Sequence, residues 1–377
     1  MQLPDAKMQI SFWKDLATPR NPRSRFTFIS YLYHKNRLNQ FINLGTFLPS
    51  RLEYEDYLRW CASYFEEQDM VSYGQEVLEV VPDVLSPDGK VTQFRVISRD
   101  SRRLEITTRL AKRVVIAVGG LAMLPKEFPS EHLGVIHSSK YLTKVGESLN
   151  DPKKPYNIAV IGSGQSAAEI FNDLPSRYPN ARVIMIIKGS TLRPSDDSPF
   201  VNEIFDPDRV DGLYQQSESG RARRIALDRA TNYSVVRLDL LEHLYQKLYD
   251  QRLHSSTPND WKIQIKTNKR VVKVQEIPER KLVLQLQNVV NDEEDSGPTE
   301  QLTFDAVFVA TGYVRDAHEG ILRKTRALLR HRQRDGTGKL PVRRDYKIDF
   351  DEEKVSDDAG IWLQGCNEST HGVSKIA

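Results

Sequence analysis

The residues whose spacing speaks most directly to chemistry are three small ones. In IAVIGSGQSAA, Ile158 to Ala168, the residues Gly162, Gly164 and Ala167 form a GxGxxA pattern where an apolar run gives way to a helical one. Gly162 lets the backbone turn sharply, Gly164 puts no side chain between a pyrophosphate and the amides of a helix start, and Ala167 lets helix and strand pack closely. Ser163, Gln165 and Ser166 fill out the turn. The spacing alone also describes a tight structural turn. Its surroundings are those a dinucleotide site requires: an apolar strand before, helical AAEIFNDL after, and a second apolar strand, Arg182 to Ile187, completing a βαβ unit. The end of that second strand bears on which dinucleotide. NAD sites place Asp or Glu there, about 20 residues on, to accept the ribose 2′-hydroxyl, whereas a cation suits a 2′-phosphate. Here Lys188, Gly189 and Ser190 follow, Arg193 is close behind, and no carboxylate adjoins Lys188. NADPH is the reading, against the alternative of a solvated lysine at a strand end.

Other constellations carry less. His137 in HSSKY has no metal-spaced partner nearby and reads as structural. Asp196 and Asp197 resemble a paired-carboxylate site, but adjacent acids in an SDDS loop serve as caps or turns. The stretch Arg323 to Arg334 holds five arginines, a lysine and a histidine, yet no aromatic platform is interleaved. It reads as a solvated helix face rather than a nucleic-acid surface.

The elements that must position the turn follow from pattern. Residues 1–150 open with an Arg- and Pro-punctuated stretch and a helix over Glu53 to Glu67, with Tyr54, Tyr57, Leu58, Cys61, Ala62 and Phe65 at near-helical spacing. Strands are expected at VLEVVPDV, TQFRVISRD and LEITTRLAKRVVIAVGG, the last ending at Gly119-Gly120. Residues 151–305 hold the GxGxxA unit, the loop TLRPSDDSPFVNEIF and a helix near Val235 to Leu253 with Leu241, Leu244 and Leu248 on one face. Strands around Val271 to Val274 and Lys281 to Val290 and an acidic hairpin loop, Asn291 to Glu300, complete that region. Residues 306–377 open on the strand of LTFDAVFVATGY, which repeats the design of RVVIAVGG. Two such strands flanking a βαβ unit suggest one nucleotide-binding domain inserted in another. At 377 residues, 39% hydrophobic and 28% charged with a net charge of +3, the composition is ordinary for a globular protein and marks neither a nucleic-acid nor a membrane partner. Two cysteines, Cys61 and Cys366, fit a reducing compartment. No apolar stretch nears the ~20 residues of a membrane span, and the start Met1-Gln2-Leu3-Pro4-Asp5 lacks signal-peptide character. A cytoplasmic protein is expected.

Taken with GVIHSSKY and VATGY, the GxGxxA turn resembles the flavin-dependent N-hydroxylating monooxygenases. The longer segments MQISFWKDLATPRNPRSRFTF, FLPSRLEYEDYLRWCA, RPSDDSPFVNEIF, ATNYSVV and QGCNESTHG resemble the fungal L-ornithine N-monooxygenases of siderophore biosynthesis, over nearly the whole chain. The resemblance implies an α/β fold of the two-dinucleotide-binding flavoprotein kind, with an NADPH Rossmann domain inserted in a discontinuous FAD domain. It implies FAD and NADPH as cofactors, L-ornithine and molecular oxygen as substrates, and a homotetramer. Catalysis would belong to the flavin, the protein gripping ornithine at a fixed distance from it. Lys14 would supply the cation for the α-carboxylate. Asn202, with Glu203, Ile204 and Phe205, and Asn232 would also contact substrate. Met8 and Gln9 would lie beside the flavin ring, Arg51 near it, and Val77 at the adenine end of FAD. Ser163, Gly164, Gln165 and Ser166 would meet the NADPH pyrophosphate, Asn232, Tyr233 and Ser234 would extend that site, and Lys188 stands where relatives carry arginine. Without the resemblance, Lys14 reads as a surface lysine and the two asparagines as loop residues.

Departures from the family pattern set a second expectation. The chain starts at the substrate-lysine segment, without the first strand-GxGxxG-helix unit that holds the FAD pyrophosphate in the family. It stops at HGVSKIA, before the segment that closes over flavin. An inactive fragment that binds NADPH is therefore the alternative to an active ornithine hydroxylase, and a lysine hydroxylase is a further one, since a single methylene of substrate cannot be read from these motifs.

Overall fold

A computed structural model describes residues 3, 6–129, 132–231, 233–289, 299–330 and 338–372. The chain divides into two compact units. The first comprises Met1–Val71, Met123–Ser195 and Asn232–Gly312, the second Ser72–Ala122, Asp196–Thr231 and Tyr313–Ala377.

The first unit is built on parallel strands β1 (Val135–His137), β2 (Asn157–Ile161), β3 (Arg182–Ile186) and β4 (Ile263–Lys266). An antiparallel sheet of β5 (Lys269–Ile277), β6 (Lys281–Asn288) and β7 (Glu300–Phe304) follows, and β8 (Ala306–Val309) returns to the parallel sheet, whose spatial order is β1-β8-β2-β3-β4. The strands are apolar on both faces because both faces are covered. Ile158 and Val160 of β2, Val183 and Met185 of β3, and Phe308 of β8 face a helical layer. Ala159, Ile161, Ile184, Ile186, Val307 and Val309 face Leu282, Leu284 and Leu286, the inward residues of β6.

Three helices matter for the site: α1 (Arg51–Glu66), α2 (Gln165–Arg177) and α3 (Leu238–His254). On α2, Ala167, Ala168, Ile170, Phe171 and Leu174 recur at helical spacing and are buried. On α3, Leu244 is buried, with Leu241 and Leu248 packed against the same core, as the periodicity predicts. A separate aromatic cluster, Phe12, Phe28, Tyr31, Phe41 and Tyr57, anchors the N-terminal segment. There Asp15, 4% exposed, accepts from the N–H groups of Ala17, Thr18 and Phe28 at 2.9, 2.6 and 2.6 Å.

The second unit holds an antiparallel meander, Gln75–Leu85, Val91–Asp100 and Ile106–Ala111, and a parallel pair, Arg113–Ile116 with Gly360–Leu363. Val80, Val91, Phe94, Ile116, Ile361 and Leu363 share its core.

Four element boundaries differ from expectation, each for a local reason. Helix α1 starts at Arg51, because the Ser50 hydroxyl accepts from the Glu53 N–H at 3.1 Å and caps it there. Helix α3 starts at Leu238 rather than Val235, because Val236 is held extended against Arg193 and Ser195. The run LEITTRLAKRVVIAVGG is two strands, broken at Lys112, where pairing passes from Val91–Asp100 to Gly360–Leu363. LTFDAVFVATGY is also two strands. Asp305 leaves the antiparallel ladder to exchange hydrogen bonds with Asn157 at the start of β2, its carboxylate accepting at 2.7 Å and its N–H donating at 2.8 Å. The acidic run lies outside the described residues except at its end, and the basic stretch is described only to Arg330, a 3-10 turn over Arg323–Leu328.

Candidate functional site

Strand β2 lies between β3 and β8. From β2 the chain winds outward through β3 and β4 on one side and returns on the other as β8, so the carboxyl ends of β2 and β8 form a topological switch point, where open α/β sheets bind ligands. Gly162 stands there. Its φ is +127°, its N–H donates to the Ile186 carbonyl at 3.1 Å, and a Cβ would come within 2.5 Å of the Ala310 carbonyl oxygen, just past β8. Gly164 is the N-cap of α2 and provides no side-chain cap, leaving the first N–H groups of a thirteen-residue helix for another acceptor. A Cβ at Gly164 would meet Ser234 Cα at an ordinary 3.6 Å. Ser234 has φ +57°, a left-handed conformation that a non-glycine residue adopts at a cost and that clusters at functional sites. Ala167 is buried against the sheet as the motif requires. Lys188 is exposed immediately past buried Ile187 at the end of β3.

The structure joins this turn to the segments expected beside the flavin. Gln165 donates from Nε2 to Glu169 Oε1 at 2.8 Å and accepts the Arg237 N–H on Oε1 at 2.9 Å. Arg51 Nη2 lies 3.2 Å from Glu169 Oε1. Arg237 Nη1 donates to the Met8 carbonyl at 3.4 Å, and the Met8 N–H donates to Pro49 at 2.9 Å. Met8 and Gln9 are half-buried beside Arg51, whose own N–H donates to the Ala6 carbonyl at 2.7 Å. Lys14 ends a 3-10 turn, Phe12–Lys14, capped by Ser11; buried Phe12 and Asp15 on either side hold it in place. Tyr233 is half-buried beside Ser234, and Asn232 lies outside the described residues.

In the second unit the helical turn Pro199–Asn202 runs into a 3-10 turn, Glu203–Phe205. The carboxylate of Asp196 accepts from the Ser198 N–H at 2.8 Å, the turn role expected of that loop. Asn202 Nδ2 donates to the carbonyls of Asp197 and Ser198 at 2.9 and 3.2 Å, and Glu203 pairs with Arg209 at 2.5 Å. Val77 lies at a β-bulge in Gln75–Leu85 and is 37% exposed.

His137, 8% exposed, bonds through Nε2 to the Gly312 carbonyl and through Nδ1 to Ser139 Oγ, both at 3.0 Å, and burial lowers its pKa. The first of these ties the end of β1 to the chain just past β8. Sequence reasoning missed Glu169 and Arg237; a lone acid on the apolar face of α2 is the signal that marks the first. It also missed His318 and Glu319. Burial opposes charge on His318, but Cys366 and the Glu319 carboxylate, 3.5 Å from Nε2, hold its pKa at about 9. Burial likewise opposes charge on Glu319, and His318 paired with it, together with hydrogen bonds from the Leu340 N–H and Arg326, brings it to about 2. Among the described residues no cluster of His, Cys, Asp and Glu could hold a metal, and no helix is long and apolar enough to cross a membrane.

A parallel sheet with a glycine turn at its switch point, in a chain of two compact units, is the architecture of the two-dinucleotide-binding flavoproteins, and similarity to known proteins narrows it. The family model for L-lysine 6-monooxygenase/L-ornithine 5-monooxygenase matches residues 1–315. An L-ornithine N(5)-monooxygenase of Cochliobolus heterostrophus is 50% identical over 99% of this chain and 72% of its own length. The solved ornithine hydroxylase of Pseudomonas aeruginosa is 37% identical with a TM-score of 0.85, covering 99% of this chain and 82% of that one. The ornithine N-hydroxylase of Kutzneria sp. 744, solved with reduced FAD, NADP+ and L-ornithine, is 32% identical with a TM-score of 0.85, covering 99% and 84%. The chain belongs to the L-lysine 6-monooxygenase/L-ornithine 5-monooxygenase family.

Proposed function

We propose that this chain hydroxylates the side-chain amine of L-ornithine, using FAD, NADPH and molecular oxygen, as the first step of hydroxamate siderophore biosynthesis. The observation that carries the reading is the glycine turn at the switch point, in a chain half identical along nearly its whole length to a protein named L-ornithine N(5)-monooxygenase. When bound, NADPH supplies a hydride and FAD the oxygen chemistry. The residues present fit NADPH and the ring and adenine ends of FAD. Gly162 and Gly164 keep the start of α2 open to a pyrophosphate, with Ser163, Gln165 and Ser166 around it and Tyr233 and Ser234 alongside. Lys188 gives a 2′-phosphate one point charge without the bidentate fork of arginine. Met8 and Gln9 offer a thioether and an amide beside the Arg51 cation, a donor set that suits the edge of an aromatic heterocycle. Val77 remains the candidate for the adenine end of FAD.

Lys14, fixed between Phe12 and Asp15, takes the ornithine α-carboxylate, which sets how far the terminal amine reaches. Asn202, Glu203, Ile204 and Phe205 are the substrate candidates of the second unit. Cytoplasmic location and assembly as a homotetramer belong to the same proposal. The test is direct: the purified chain, supplied with FAD, NADPH and either ornithine or lysine, is assayed for substrate-dependent NADPH oxidation and for a product heavier by one oxygen. Hydroxylated ornithine is expected. Product from lysine alone, or none while NADP+ still binds, overturns the reading.

A further inference from the structure

Glu169 has no part in the function proposed above. It stands one turn past Gln165 on α2, among Ala168, Ile170 and Phe171, and is 6% exposed. Burying a carboxylate is costly unless charge and hydrogen bonds compensate, and an aliphatic residue here would simply extend the apolar face. The compensation is one-sided. Oε1 meets Arg51 at 3.2 Å and Gln165 at 2.8 Å, whereas Oε2 is buried with no hydrogen-bond partner among the described residues. Burial leaves the pKa of Glu169 above its ordinary value, with Arg51 and then Gln165 opposing the rise.

What the two partners connect to gives the carboxylate a use. Gln165 is the first residue of α2, next to Gly164, and its Oε1 holds the Arg237 N–H. The Arg237 guanidinium reaches the Met8 carbonyl. Arg51 is the first residue of α1; its N–H bonds to Ala6, and its neighbour Ser50 bridges Lys7. These contacts close a ring from Gln165 through Glu169, Arg51, the Ala6–Met8 backbone and Arg237 to Gln165 again. Glu169 closes the ring on the Arg51 side, as Arg237 closes it on the Met8 side, and so gives the turn a second tie to a segment far from it in sequence.

We infer that Glu169 is a positioning residue that sets the register between the dinucleotide turn at Gly164–Ser166 and the Met8–Arg51 segment. The inference rests on the dinucleotide reading of the turn. A carboxylate does this where a leucine cannot, because one oxygen both accepts from the Gln165 amide and pairs ionically with the Arg51 guanidinium, and so ties the two together.

The test is calorimetric titration of NADP+ into the purified protein, with thermal melts alongside. Glu169→Leu, which removes the hydrogen bond and the ion pair, is expected to weaken NADP+ binding at least tenfold at temperatures well below melting. Glu169→Gln keeps an acceptor of the same shape and is expected to stay within threefold of the parent. Glu169→Leu combined with Arg51→Met is expected to bind no more weakly than Glu169→Leu alone, since both changes break one ring. Parent-like NADP+ affinity in Glu169→Leu overturns the inference while leaving the dinucleotide site standing. Equal losses of affinity in the Leu and Gln variants, each tracking a lowered melting temperature, also overturn it, because they mark a packing role. Absence of NADP+ binding by the parent overturns the dinucleotide reading and this inference together.

Discussion

The two glycines of the turn are held for different reasons, and alanine at each should separate them. At Gly162 the backbone lies at φ +127° and a Cβ would press to 2.5 Å from the Ala310 carbonyl oxygen. The strained dihedral costs about 1–3 kcal/mol for a non-glycine residue, and relieving a contact with backbone adds about 1–3 kcal/mol. Gly162→Ala should therefore destabilise the protein by roughly 2–6 kcal/mol, whether or not a nucleotide is present. At Gly164 φ is −89°, which any residue adopts, and the new methyl would sit 3.6 Å from Ser234 Cα, in ordinary contact. The folded state accommodates it, and the less flexible unfolded chain offsets part of any cost, so stability should change by less than about 1 kcal/mol. The methyl does, however, stand beside the N–H groups that a pyrophosphate would approach. NADP+ affinity should fall at least tenfold, about 1.4 kcal/mol. Guanidinium melts followed by circular dichroism give the first quantity and calorimetric titration the second. The assignment fails if the two variants lose stability alike, or if Gly164→Ala binds NADP+ as the parent does.

The remaining predictions concern charge. If Lys188 reads the 2′-phosphate, the parent should bind NADPH at least tenfold more tightly than NADH, about 1.4 kcal/mol, and Lys188→Glu should erase the difference; equal binding by the parent refutes it. Lys14→Ala should weaken ornithine use by about 2–4 kcal/mol in kcat/KM, because a substrate carboxylate is left unpaired, while the anaerobic rate of FAD reduction holds; the reverse pattern would assign Lys14 to the wrong ligand. His318 has a folded pKa of about 9, above its ordinary value of 6.5, so its stabilising contribution is complete below about pH 6.5 and is lost as pH rises through 9. Thermal melts should show a loss of roughly 3 kcal/mol across that window, flattened in His318→Asn. Glu319, depressed to about 2, acts at the other end: its contribution is present above about pH 4.5 and fades as pH falls toward 2. An unchanged pH profile in His318→Asn would show that the pair contributes nothing.

The turn was legible because its requirements are local. A strand, two glycines, a small residue and a helix follow one another within the eleven residues Ile158 to Ala168, and the structure places them in that order. The amphipathic faces of α2 and α3 were legible for the same reason, since period and burial belong to one segment. The errors at Lys112 and Asp305 have the opposite cause. Strand-like residues resume directly after the charged residues at both points, and it is the exchange of strand partners that breaks the element, which the sequence of one strand cannot announce. Helix α3 starts late for a related reason: Val235 and Val236 fit a helical pattern, but Arg193 and Ser195 hold Val236 extended.

That distinction also explains why the chemistry of Gly162 was clear from sequence while its necessity was not. The motif says that the backbone must turn at Gly162. The structure adds that the space a side chain would need is already filled by Ala310, which follows a strand much later in the chain. The same holds for Glu169. On a helical wheel it is an anomaly, an acid between Ala168 and Ile170 on a face that should be apolar. It becomes intelligible only when folding brings Arg51 to the oxygen that Gln165, one turn back on the same helix, already holds. A buried charge that interrupts a hydrophobic pattern is thus a cue that sequence can supply without its explanation. Here the explanation lies in which two segments the charge joins, the start of α1 and the start of α2. Each carries residues proposed for a different cofactor, so the penalty of burying one carboxylate has a place in the enzyme's function rather than only in its stability.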